Sequence, residues 1–249
     1  MRATGLLSVT FRSLPFERII ELTVQAGLDG IEWGGDVHLP PGELDLATKI
    51  GQMTLDAGLV NFSYGSYWRA NGEPQMVADT AAALGAQWIR VWAGVLPSAQ
   101  CSPEIRGRVV EFLRKMCRCA GGMQVAAEWH CGTLTDTQDS AVRLLDEVGE
   151  DNFFCYFQRE ERPDDRRDNL NDLLRIPARR LRAVHVHYCA NRQRLPLALG
   201  EEEWRELLSH IPESVPVLLE FVRGDSVEQY LEDARVLRNL TRRSTGELG

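Results

Sequence analysis

No stretch of this chain approaches the ~20 consecutive apolar residues that a membrane-spanning helix needs. Its first residues, Met1 to Arg12, carry an early arginine before an apolar run too short for a secretory signal. A cytoplasmic location is therefore expected. A basic excess is also missing: 28 Lys and Arg stand against 36 Asp and Glu, a formal charge of −8. Proteins that grip a phosphate backbone carry a basic face whose cations release counterions. The balance argues against a nucleic-acid partner, with only a local basic patch left open. Cysteine builds no framework: Cys101, Cys117, Cys119, Cys131, Cys155 and Cys189 include no C-x-x-C pair, so free thiols are expected. The Asn61-Phe62-Ser63 sequon matters only in a secreted protein. No repeat, low-complexity tract or linker divides the chain, so residues 1–249 read as one domain.

What is present is an alternation. Short apolar runs at Leu6 to Thr10, Gly30 to Trp33, Val60 to Tyr64, Trp88 to Val91, Gln124 to Glu128, Phe153 to Phe157, Leu181 to His187 and Val217 to Phe221 read as strands. Amphipathic segments of helical length lie between them, for example Phe16 to Ala26, Leu44 to Ala57, Glu104 to Cys119 and Glu228 to Leu240. Glycine follows the periodic runs at Gly27, Gly58 and Gly85, where helix C-caps belong, and Ser102-Pro103-Glu104 has the form of a helix entry. Apolar strands separated by crossover helices call for a parallel sheet covered on both faces. Eight such units most simply close into a single (β/α)8 barrel of the α/β class, although a doubly wound sheet with extra elements gives a similar pattern. The polar stretch from Arg159 to Asn171 reads as a solvent-facing excursion, a surface loop or a lid, and Thr241 to Gly249 as a frayed tail.

Four polar residues, Glu128, Gln158, His187 and Glu220, end four successive apolar strands. Strand parity puts Gln124, Ala126 and Glu128 on one face, Ala183, His185 and His187 on one face, Phe154 with Tyr156 and Gln158, and Leu218 with Glu220. In a barrel such sets converge at the C-terminal mouth, where two carboxylates, an imidazole and an amide oxygen suit a divalent ion over a small hydroxylated substrate. Placement against the helices with arginine partners is the alternative. His130, His185, Arg90, Arg192 and Glu32 also stand at or near strand ends as substrate contacts, and Trp33 and Tyr64 belong to an aromatic group that would wall a sugar pocket. Packed histidines and surface ion pairs account for such residues equally well.

The order of residues resembles the xylose isomerase-like TIM barrels, which include ketose 3-epimerases, hydroxypyruvate isomerases, inosose dehydratases and the endonuclease IV type of nuclease. The likeness is carried by Gly27-Leu28-Asp29-Gly30-Ile31-Glu32, Ala127-Glu128-Trp129-His130 with Thr133-Leu134-Thr135-Asp136, Asp151-Asn152, His185-Val186-His187 and Leu219-Glu220. It implies that Glu128, His187 and Glu220 are metal ligands and that Arg192 lies near an arginine that contacts substrate. The chain departs at the sixth strand, where the family usually has Asp followed three residues later by His. Here stand Gln158 and Glu161. An amide oxygen brings no formal charge, which lowers affinity for the ion and leaves it a stronger Lewis acid.

These readings predict a metal-dependent isomerase or epimerase of a small sugar or related polyhydroxy carbonyl compound, using Mn²⁺, Mg²⁺ or Co²⁺. Glu128 and Glu220 would move the proton through an enediolate. An inosose-type dehydratase is the near alternative, and a non-catalytic sugar-binding barrel follows. An endonuclease IV-like phosphodiesterase is disfavoured by an acidic chain with five histidines. Association into a homo-oligomer is left open.

Overall fold

The computed structural model describes residues 1–161 and 166–242, the side chains of 166–168 excepted. Residues 162–165 of the polar stretch and 243–249 of the tail lie outside that description. Eight parallel strands, β1 (Thr4–Leu7), β2 (Gly30–Gly34), β3 (Val60–Gly65), β4 (Trp88–Val91), β5 (Gln124–Ala127), β6 (Phe153–Gln158), β7 (Leu181–Val186) and β10 (Val217–Leu219), close into a barrel in the order β1-β10-β7-β6-β5-β4-β3-β2. A two-stranded antiparallel hairpin, β8 (Cys189–Ala190) and β9 (Gln193–Arg194), follows β7. Around the barrel run α1 (Phe16–Ala26), α2 (Leu44–Asp56), α3 (Gln75–Leu84), α4 (Pro103–Cys119), α5 (Gln138–Val148), α6 (Arg166–Arg175), α7 (Glu201–Ser209) and α8 (Val227–Thr241). No described helix is long and apolar enough to cross a membrane.

Local chemistry sets these boundaries. α1 ends where Gly27 takes a left-handed φ of 65° and donates its N–H to Thr23 and Val24 carbonyls, a conformation that costs a residue with a Cβ. α4 starts where the Ser102 hydroxyl accepts the Ile105 N–H and Pro103 fills the first turn, whose N–H would lack an intrahelical partner anyway.

Alternation splits each strand between two cores. Outward residues such as Ile31, Ile89, Val125, Val184 and Leu219 pack under the helices. Inward residues Leu7, Phe62, Trp88, Ala126, Tyr156, Ala183 and Leu218 fill the barrel. The plug leaves no pore, as in other eight-stranded barrels. Two irregularities break the alternation. Between β2 and β3 the register jumps from Ile31↔Asn61 to Glu32↔Ser63, so β3 carries one extra residue, Phe62. Between β6 and β7 it jumps from Cys155↔Leu181 to Tyr156↔Ala183, which makes Arg182 the extra residue. A bulge of this kind re-aims every side chain beyond it.

The sequon is spent on packing. Asn61 is 1% exposed, donates to the Gly51 and Leu84 carbonyls and accepts from Trp33 Nε1. The polar excursion is also less solvent-facing than expected, because Arg159 and Asn169 are buried. Arg159 pairs with Glu203 at 2.9 Å, and Asn169 bonds the backbone of Glu160. The six cysteines are free.

Candidate active site

The top layer of the barrel interior is charged. Arg90, on β4, lies across the barrel between two carboxylates: its Nε donates to Glu32 Oε1 at 2.6 Å and its Nη1 to Glu128 Oε2. Arg90 and Glu32 are 2% and 1% exposed. Glycine makes this crossing feasible, since a Cβ on Gly65 would stand 2.6 Å from Arg90 Nη2. Glu32 also accepts from Ser63 and, at 2.7 Å, from Tyr156 Oη, which in turn accepts from Trp88 Nε1. Burial alone would raise the Glu32 pKa, but Arg90 and His185 hold it well below the carboxylate range. The Glu32–Arg90 pair is therefore ionised.

Above this layer three donors converge. Glu128, His185 and Glu220 each offer one atom, all within 4.8 Å of one another. His185 Nδ1 stands 3.5 Å from Glu220 Oε2 and 3.8 Å from Glu128 Oε1, and His187 Nδ1 stands 3.7 Å from Glu220 Oε2. Glu128 Oε2 is occupied twice, by Arg90 and by Trp92 Nε1 at 2.5 Å, so Oε1 is the oxygen turned to the cluster. Both ring nitrogens of His185 and Nδ1 of His187 are buried without a hydrogen-bond partner. Unpaired buried polar atoms cost free energy. A divalent cation among Glu128, His185 and Glu220 would satisfy His185 Nδ1, while Nε2 faces Glu32 at 3.6 Å, so the residues fit such an ion.

The groups perturb one another. Burial pushes the Glu220 carboxyl up to about 7, with Glu128 adding to the rise against the pull of His185. For His185 burial acts downward, but Glu220, Glu32 and Glu128 hold its pKa above the usual value. His187 is pushed down to about 4 by burial and the neighbouring cations His185, Arg159 and Arg194. Strongly shifted groups in one cleft are the mark of a site that moves protons.

A cavity of about 450 Å³ opens over this cluster. Its wall on one side is aromatic: His130 stacks on Trp92 with centroids 4.0 Å apart, and Tyr67 lies 5.8 Å beyond Trp92. His130 Nδ1 is tied to the Cys131 carbonyl, leaving Nε2 as its open nitrogen. The other side holds Gln158, His187, Glu220 and Phe221, with Arg12, Arg192 and Arg194 at the mouth. Three residues of this lining, Tyr67, Arg192 and Phe221, have positive φ of 55°, 59° and 52°. Left-handed backbone at bulky residues is a strain that clusters at ligand sites.

The structure brings most of the residues singled out in the sequence to this cavity and sets others elsewhere. Glu128, Gln158, His187, Glu220, His130 and Arg192 all line the cavity. Glu32 and Arg90 lie beneath it as a buried pair, and the convergent imidazole is His185, which the sequence marks only as an orienting or substrate residue. Trp33 and Tyr64, expected as substrate contacts, face the helices: Trp33 bonds Asn61, and Tyr64 donates to the Leu39 carbonyl at 2.9 Å. Trp33 follows an inward Glu32, so alternation turns it out. Tyr64 is turned out by the Phe62 bulge. Arg12, Arg194 and Phe221 are among the cavity residues that the sequence does not mark, since Arg12 caps a 3₁₀ turn and Arg194 sits in a hairpin that periodicity does not signal. The chain's two lysines are distant from the cavity, Lys49 against Glu17 and Lys115 against Glu73, so no amine is on hand for an imine.

Comparison with known proteins follows the same lines. Residues 20–240 match the family model described as the xylose isomerase-like TIM barrel. A 3-dehydroshikimate dehydratase of Bacillus anthracis is 28% identical over 163 residues, 59% of this chain; the match spans 58% of that relative's length. The solved structure of a probable 3-DHS dehydratase of petrobactin synthesis, also from Bacillus anthracis, superposes with a TM-score of 0.77 at 21% identity, covering 96% of this chain and 99% of that one. An L-ribulose 3-epimerase superposes with a TM-score of 0.72 at 16% identity, covering 97% and 94%. At these identities the two superpositions establish a shared fold.

Proposed function

The chain belongs to the xylose isomerase-like TIM barrel family, and we propose that it is a divalent-metal-dependent enzyme that removes a proton beside the carbonyl of a small polyhydroxylated compound, as sugar isomerases and epimerases do. The observation that carries this reading is the convergence of Glu128, His185 and Glu220 within 4.8 Å under a cavity of substrate size. Those three residues would hold the ion, with Gln158 and His187 beside them on the cavity lining. When bound, the ion supplies Lewis-acid polarisation of the carbonyl and its neighbouring hydroxyl, which acidifies the adjacent C–H.

The chain's own residues divide the remaining work. Glu128 is fixed in place, because Arg90 and Trp92 hold one of its oxygens. Proton movement falls to Glu220, whose carboxyl in the metal-free site is pushed up to about 7 by burial, with Glu128 adding to the rise. This narrows the expected Glu128–Glu220 acid–base pair to one carrier on that side. His130, anchored through Nδ1, offers Nε2 as a second carrier from the aromatic wall.

That second carrier favours another outcome of the same first step. With an imidazole able to protonate a departing hydroxyl, proton abstraction leads to loss of water, the reaction named in the 3-dehydroshikimate dehydratase relative. Both outcomes are separated by incubating the Mn²⁺-loaded protein in heavy water with ketoses, inososes and 3-dehydroshikimate. Deuterium at a carbon beside the carbonyl marks isomerisation or epimerisation, and a new conjugated absorbance marks dehydration. Exchange into no member of the panel would count against both.

A further inference from the structure

Resting on this proton-abstraction reading, we propose that the substrate is an anion, a polyhydroxy carbonyl compound bearing a carboxylate or phosphate that is read by Arg192 at the tip of the β8–β9 hairpin. The hairpin pairs Cys189 with Arg194 and Ala190 with Gln193, so only Asn191 and Arg192 form its turn. Both have positive φ, 54° and 59°, as the tight two-residue turn demands. Glycine is the residue that takes the second position without strain, and arginine there is costly. Glu161 clamps the strained turn, its two carboxylate oxygens accepting the Arg192 N–H at 2.9 and 2.8 Å. The clamp uses the backbone of Arg192 and leaves its side chain to the cavity.

That guanidinium has no carboxylate partner among the described residues, unlike Arg12 and Arg194, which pair with Asp36 and Asp225. Arg194 and Arg12 in turn lie 4.0 and 5.9 Å from the ring of Phe221, so three guanidiniums ring the mouth. Neutral sugar hydroxyls would be served by any polar side chain. A planar cation held in a strained turn, with no carboxylate on its fork among the described residues, matches a two-oxygen anion.

The test is direct binding, read by tryptophan fluorescence with MnCl₂ present, of two ligand pairs that differ in charge: shikimate with its methyl ester, and D-fructose 6-phosphate with D-fructose. The expected result is that one anionic member binds about tenfold to a hundredfold more tightly than its neutral partner, that Arg192→Gln abolishes the difference, and that Arg192→Lys restores part of it. Which pair discriminates identifies the carboxylate or the phosphate. Equal affinity within both pairs, binding of neither anion, or a preference that survives in Arg192→Gln would overturn the proposal. Deuterium exchange on neutral ketoses as fast as on anions would remove the charge requirement and leave proton abstraction standing, whereas a charge preference without exchange on any substrate would do the reverse.

Discussion

The pH dependence of Mn²⁺ binding tests the site most directly. A carboxyl must be ionised to hold a cation, so ion and proton compete for Glu220. With its pKa raised to about 7, roughly nine-tenths of Glu220 is ionised at pH 8 and roughly one-tenth at pH 6, and Mn²⁺ affinity should fall about tenfold between them. An ordinary carboxyl near 4.5 would change by only about 3% over that range. His185, whose pKa is also raised by its carboxylate neighbours against the effect of burial, competes with the ion in the same sense and adds to the loss. Calorimetry in two buffers of different ionisation enthalpy counts the released protons. Glu220→Gln should remove one of them. An affinity that is flat from pH 6 to pH 8, or a proton count unchanged in that variant, would refute the reasoning. The same shift sets the sign for the metal-free protein: a raised pKa contributes stability that is full below the unfolded value and lost as pH rises through about 7. His187, depressed to about 4, acts the other way, its contribution present above the unfolded value and lost as pH falls through 4.

Other perturbations bear on other parts of the structure. Arg90→Met strands the buried Glu32 and should cost about 3–5 kcal/mol, a drop of roughly 6–20 °C in melting temperature for a chain this long; a drop within 2 °C, taken as about the noise of such a melt, would deny the pair its place. Trp92→Phe keeps the stacking on His130 but removes the donor to Glu128, and should weaken Mn²⁺ binding about tenfold or more by titration. Gly65→Ala pushes a methyl into Arg90 and should lower both melting temperature and Mn²⁺ affinity, since the displaced guanidinium serves both. Tyr64→Phe, behind the barrel wall, should cost about 1 kcal/mol in urea melts and leave the KM of any substrate unaltered; a raised KM would return Tyr64 to the cavity.

The barrel was legible because its signals are local. The run Phe16 to Ala26 and the run Trp88 to Val91 coincide with α1 and β4, and the other strands differ by a few residues at their ends. Parity then identifies which side of β5, β6, β7 and β10 is interior, and Ala126, Tyr156, Ala183 and Leu218 lie inside together. Hidden from such reasoning is whatever depends on registers between strands. Nothing in Asn61-Phe62-Ser63-Tyr64 announces a bulge, which exists because Glu32 must reach Ser63 and Phe62 must still fill the barrel. Nor does His185-Val186-His187 reveal that the lower imidazole meets Glu128 and Glu220, since that depends on strand tilt. The hairpin at 189–194 is hidden for a different reason: its strands are two residues long and its turn has no glycine.

The extra residue in β3 has a consequence for how this pocket changes over generations. A single-codon deletion at Phe62 would restore plain alternation and take one ring out of the barrel, while Ser63 stays opposite Glu32 and Tyr64 opposite Trp33. Most deletions within a strand invert every side chain beyond them, but this one removes a single side chain and leaves the rest of β3 facing as before. The bulge thus sets apart one residue that can be lost without turning its neighbours over: the packing inside the barrel can loosen by a ring while the eight strands that carry the chemistry stay where they are.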